Sequence, residues 1–128
     1  MDMEARMFKA YAKGDEKIQL KIISGHFITS QSHITHYLDM TTMKTRCAEA
    51  AQIARLLSAK YEATTPVDSI ICLDGLEVVG AFLAEELAKA GVLSMNAHKT
   101  IYIVTPEFHA NGQMLFRDNT QNMVKNRN

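Results

Sequence analysis

Cysteine is scarce in this 128-residue chain: only Cys47 and Cys72, too few for a disulfide framework. One lies in a helix-like and the other in a strand-like apolar context, which predicts two reduced core thiols in a cytoplasmic protein. Excess charge is absent as well. Fourteen Lys and Arg balance fourteen Asp and Glu, so neither nucleic acid nor an anionic membrane surface is indicated as a partner. No apolar run approaches the length of a membrane span, and the opening MDMEARMFKAYAKG reads as an amphipathic polar helix rather than a signal peptide. There is no Gly-x-x-x-x-Gly-Lys phosphate loop, and no serine, cysteine or histidine falls in a recognisable nucleophile motif. Internal repeats and low-complexity tracts are missing; there is only a polar tail over 117–128. What is there is the composition of a soluble globular protein, 47% hydrophobic and 22% charged, in a chain long enough for one domain with a core. Eight methionines supply adaptable filler or contact surface.

Hydrophobic periodicity predicts the order of elements. Met3, Met7, Phe8 and Tyr11 have helical spacing, giving a short helix over 3–12 that stops at Gly14. Ile18, Leu20 and Ile22 alternate with polar residues, the period of a half-buried strand over 17–23 that Ser24-Gly25 breaks. The β-branched and aromatic segment 27–40 holds a second strand that pairs with the first. A helix over 43–61 follows, with Thr41 or Thr42 as N-cap and Met43, Cys47, Ala50, Ala54, Leu57 and Tyr61 as its buried stripe. Residues 67–73 form a nearly all-apolar strand, the mark of burial on both faces of a parallel sheet. A helix over 76–90 capped by Gly91 and a strand over 99–104 complete a right-handed βαβ unit. Asn111-Gly112 predicts a hairpin turn, and 117–128 one short helix with a frayed end. The chain therefore divides into 1–40, a helix and a strand pair; 41–104, a βαβ core; and 105–128, a hairpin and polar tail, all within one domain.

The leading candidate site is Asp74, Gly75, Leu76, Glu77 and Val78, at the carboxyl end of the predicted strand 67–73. A glycine turn feeding a helix aims backbone N–H groups and the positive end of the helix dipole at one point, which suits a phosphate or carboxylate. Ligands of open α/β sheets bind at this edge. The same features have a structural reading: Asp74 and Glu77 favour a helix N-terminus without any ligand. Their charge also repels a bare pyrophosphate, so a phosphate there needs backbone N–H contacts or a bridging Mg²⁺. Thr105, Pro106 and Glu107 follow the second parallel strand and form either a second wall of the same cleft or a plain strand end. His26, His33, His36 and Asp39 resemble a metal cluster on paper. His33 and His36, three apart on a strand, face opposite sides and do not chelate one ion; a loop would bring them together, but the expectation is surface or hydrogen-bonded histidines and no metal site.

These strings, in this order, resemble a type I phosphoribosyltransferase, most closely the orotate phosphoribosyltransferase group. Ser24-Gly25 followed by Tyr37-Leu38-Asp39 is similar to that group's N-terminal hood. The run from Gly75 to Gly80, with Ala81-Phe82-Leu83, resembles the family's first pyrophosphate loop and its helix. Tyr102 to Glu107 is similar to the strand that ends in the family's Arg-Lys-Glu, and Asn111 to Phe116 falls in its flexible hairpin. The resemblance spans about 20–127. It implies a Rossmann-like parallel sheet flanked by helices with a hood strand pair, Mg²⁺ carried by substrate pyrophosphate, phosphoribosyl pyrophosphate or a nucleotide as partner, and a homodimer. The departures are specific. Thr105 and Pro106 stand where the family places arginine and lysine, Val79 where some relatives place an arginine, and Ile23 where a basic residue precedes the hood's Ser-Gly. The family's hallmark, an apolar strand with two acidic residues and a Thr/Gly-rich 5-phosphate loop, falls beyond Asn128. The expectation is an incomplete phosphoribosyltransferase sheet without transferase activity, which is a fragment or shares an edge with a partner. The alternative is a non-catalytic nucleotide- or sugar-phosphate-binding module of the same fold.

Overall fold

A long strand organises the N-terminal part of the protein. The computed structural model describes residues 4–13, 15–28, 32–89, 95–108, 114–116 and 118–125. Two compact units make up the chain, Met1–Thr42 and Met43–Asn128.

In the first unit the predicted N-terminal helix is replaced by a single 3-10 turn, Glu4–Arg6, and a strand, β1, Met7–Ala12. The segment's apolar residues satisfy either period, and the pairing available on β2, Asp15–Ile28, decides. The two run antiparallel, Met7 opposite Ile23 through Tyr11 opposite Gln19. Ser24-Gly25 does not break β2. The strand passes through it with a register shift between Ser24 and Phe27, a bulge that absorbs the extra residue. β3, His33–Asp39, pairs antiparallel with β2 as expected, so the predicted strand pair is a three-stranded sheet of order β1-β2-β3. Among the described residues, Ile18 and Ile23 are its buried hydrophobic side chains.

Helix α1, Thr41–Thr45, is capped by Asp39, whose Oδ1 accepts the Thr41 N–H at 3.0 Å, rather than by a threonine side chain. Extended backbone at Arg46 (φ −110°, ψ 117°) separates it from α2, Cys47–Tyr61. Of the predicted stripe, Ala50 and Ala54 are buried and Ser58 joins them, while Cys47 and Tyr61 are exposed. Cys47 is thus no core thiol, whereas Cys72 is buried.

The predicted βαβ succession is present in the second unit. β4, Ser69–Ile71, leads through a turn into α3, Glu77–Ala88, and β5, Tyr102–Val104, runs parallel to β4 with Ile70 opposite Ile103. An alanine methyl placed at Gly80 would meet Ile70 and Ile103 methyls at 3.7 Å and collide with the Cys72 Sγ, so α3 lies close against that face of the pair. The expected burial on both faces does not hold. Ile71 is 52% and Leu73 41% exposed. α3 ends with Lys89 in extended conformation, and Gly91 lies outside the described residues.

Asn96 pins the amino end of the βαβ segment, just before β4. It is fully buried, its Oδ1 accepts the Val67 N–H at 2.8 Å, and its Nδ2 donates to the Thr65 carbonyl at 2.9 Å. The expected hairpin is formed by β6, Glu107–Phe108, and β7, Met114–Leu115, in antiparallel register; the Asn111-Gly112 turn lies outside the described residues. The polar tail carries the predicted short helix, α4, Asp118–Val124. Among the described residues no helix is long and apolar enough to cross a membrane. The architecture is mixed α/β: a three-stranded antiparallel sheet, a two-stranded parallel sheet, a small hairpin and helices.

Candidate functional site

Between β4 and α3 the chain reverses in two residues with left-handed backbone, Asp74 (φ 48°) and Gly75 (φ 82°). The Leu76 N–H donates to the Leu73 carbonyl at 3.2 Å and closes the turn. Glycine accepts this conformation without steric cost, and aspartate is one of the few other residues that visits it. A side chain at Gly75 would also press on the Lys44 stem, whose Cδ lies 3.3 Å from where a Cβ would be.

Lys44, from α1, is the basic residue at this turn. Its Nζ contacts Asp74 Oδ2 at 3.2 Å, with the lysine side chain 27% and the aspartate 89% exposed. A pair so open to water contributes at most about 1 kcal/mol to stability. Its chemical effect is to set a cation against one of the two carboxylates of the site. Thirty residues separate the partners, and no local pattern in the sequence announces the pairing. Lys99 serves elsewhere. Its Nζ binds Asp68 Oδ1 at 2.9 Å, just before β4 and so at the opposite end of the strand.

The N-terminus of α3 has no side-chain cap, with Leu76 in the N-cap position. The Gly80 N–H donates to the Leu76 carbonyl at 3.0 Å, so the N–H groups of Glu77, Val78 and Val79 precede the helical ladder. Glu77, in the first turn, accepts a hydrogen bond from Thr105 Oγ1 at 3.1 Å on its Oε1. This contact brings together the two segments predicted as walls of one cleft, 74–78 and 105–107. Their members are not equally available. Asp74, Gly75 and Thr105 are exposed, Leu76, Glu77, Val78 and Glu107 half-buried, and Pro106 buried. Glu107 opens β6 opposite Leu115. Val79 is buried too, so that position does not face solvent.

Beneath the turn lies an apolar cavity of about 270 Å³, lined among others by Leu57, Ile70, Cys72, Leu76, Val79 and Leu83. The Cys72 thiol is pushed up from its ordinary value of 9.0 by burial first and by the Glu77 charge second. It lines the cavity as a thiol whose charged form burial disfavours.

Mg²⁺, implied by the resemblance, fits the chemistry of the donors. Asp74 and Glu77 offer hard carboxylate oxygens, and this ion is commonly held by one or two carboxylates together with substrate phosphates. Among the described residues no three His, Cys, Asp or Glu side chains group as an all-protein metal site. No protein-family model matches the chain, and no curated protein or solved structure matches it significantly.

Proposed function

We propose that this chain is an orotate phosphoribosyltransferase-like protein portion that binds the pyrophosphate of phosphoribosyl pyrophosphate, or the phosphates of a nucleotide, at the Leu73–Leu76 turn. One observation carries the reading: an uncapped helix N-terminus, held by a left-handed turn at the carboxyl end of a parallel strand, stands beside the end of the neighbouring strand through the Thr105–Glu77 hydrogen bond. Free N–H groups and the helix dipole favour a phosphoryl group there. Lys44 offsets the Asp74 charge and supplies a cation at the rim. When bound with its substrate, Mg²⁺ would neutralise phosphate charge between the carboxylates and the ligand.

Transfer of the ribosyl group needs more than binding, because charge developing at the leaving pyrophosphate must be stabilised. The second wall supplies no cation: the Thr105 hydroxyl is spent on Glu77 and Pro106 is buried. That observation favours the second reading, a binding module without turnover. Titration calorimetry of the chain with phosphoribosyl pyrophosphate and Mg²⁺, beside nucleoside mono- and diphosphates, tests both. Saturable binding that Lys44→Ala weakens about tenfold supports the site. Binding with no nucleotide formed from orotate or another base identifies the module, and product formation restores the transferase. Absence of binding by every phosphate compound rejects the proposal.

A further inference from the structure

The outer end of the β2–β3 ladder carries two histidines that the sequence does not pair. Spacing along the chain directs attention to His33 and His36, which fall on opposite faces of β3. The actual neighbours come from different strands. His33 stands opposite Ile28 in the ladder, and His26, two residues before Ile28 on β2, is its diagonal neighbour on the same face. His26 also lies within the register shift between Ser24 and Phe27, and bulges re-aim side chains. The outcome is a ring pair with His26 Nε2 only 3.2 Å from His33 Nδ1, centroids 5.2 Å apart, and an interplanar angle of 62°. Both side chains are exposed.

Two nitrogens that bind one ion at about 2.0–2.1 Å stand about 2.9 Å apart at a right-angled site and about 3.4 Å apart at a tetrahedral one. The observed 3.2 Å falls between these values. The geometry points to a two-histidine chelate for a borderline divalent transition cation, Zn²⁺ or Cu²⁺, on the exposed face of the β2–β3 ladder. Its remaining coordination positions open to solvent. Entry of the ion requires that the ring donating the hydrogen bond move its proton to its other nitrogen, and that both rings turn so that the two lone pairs meet at a shared point. The hairpin holds the two rings on adjacent strands, so the second nitrogen binds within a preformed site, and chelation exceeds the affinity of either ring alone. His36 stands apart from this pair, with its Nδ1 3.0 Å from Thr35 Oγ1. The site belongs wholly to the first unit and is independent of the phosphate-binding proposal.

Calorimetric titration of the full chain with Zn²⁺ and with Cu²⁺ decides the matter. The expected result is one ion per chain, Cu²⁺ tighter than Zn²⁺, and no heat with Mg²⁺. His26→Gln and His33→Gln should each reduce affinity about a hundredfold, whereas His36→Gln should leave it unchanged. Unaltered uptake in the His26→Gln/His33→Gln double variant, or no saturable uptake by the native chain, overturns the proposal. A measurement on the native protein guards against misfolded variants. Substoichiometric Cu²⁺ should broaden the ring proton resonances of His26 and His33 together and ahead of His36, and equal broadening of all three rejects the site.

Discussion

Gly75 and Gly80 are adjacent in function but constrained by different physics. Gly75 has a left-handed backbone, and Gly80 has ordinary helical backbone but no room for a methyl group against Cys72. Gly75→Ala should therefore cost about 1–2 kcal/mol in urea unfolding, from backbone strain together with the press of the new methyl on the Lys44 stem. Gly80→Ala should cost about 1–3 kcal/mol from overpacking, and much of that should return when Cys72→Ala removes the obstructing sulfur. Additive losses in the double variant would show that the sulfur is not the obstacle. The thiols give a second test. Exposed Cys47 should react quickly with a thiol reagent and Cys72 only on opening of the fold. Because the folded Cys72 titrates above its ordinary 9.0, its contribution to stability is complete below that pH and is lost as pH rises toward the folded value. The alkaline fall in stability measured by denaturant titration should accordingly be shallower in Cys72→Ala. Gly75 was legible in the sequence because a turn between an apolar strand and a helix demands a permissive backbone. Lys44 was not, since its partner is set by how α1 is placed beside the turn.

Element by element, the sequence was readable where local and tertiary preferences agree. Val67 onward through Val104 shows both strands and the helix of the βαβ unit because apolar runs, a glycine turn and an apolar helical stretch all favour the same outcome. The region of β1 was misread because Met7, Phe8 and Tyr11 suit a helix face as well as a strand, and the choice rests on the ladder offered by a distant segment. Arg46 interrupts a stretch whose apolar stripe predicts one continuous helix, and nothing in the local residues accounts for it. The role of Asn96 was hidden for another reason: its two backbone partners lie 29 and 31 residues away. Asn96→Ala leaves the half-buried Val67 N–H and Thr65 carbonyl without their partner, and should destabilise the unit by about 1–3 kcal/mol in chemical unfolding. A loss under about 0.5 kcal/mol would mean that water replaces the amide without penalty.

Across the whole molecule, the two units differ in what they bury. Ile18 and Ile23 are the buried apolar residues described for the first unit, whereas Ala50, Ala54, Cys72, Val79, Leu87 and Val104 are buried in the second. A small antiparallel sheet with so little core is marginal by itself. Native-state hydrogen exchange should thus find the amides of α2 and α3 protected longest and those of β1 exchanging through low-energy openings. Equal protection in β1 and α3 would show that the chain opens as one body. Within the second unit the βαβ segment is fastened at both ends, by the amide of Asn96 at the amino end of β4 and by the Thr105–Glu77 hydrogen bond at the carboxyl end. Each fastening joins residues about thirty positions apart, so neither is gained until a long loop has closed. They are consequently interactions of a late stage in folding. Weakening Asn96 should speed unfolding while leaving the refolding rate nearly untouched, so this one buried amide governs how long the folded unit lasts more than how fast it is made.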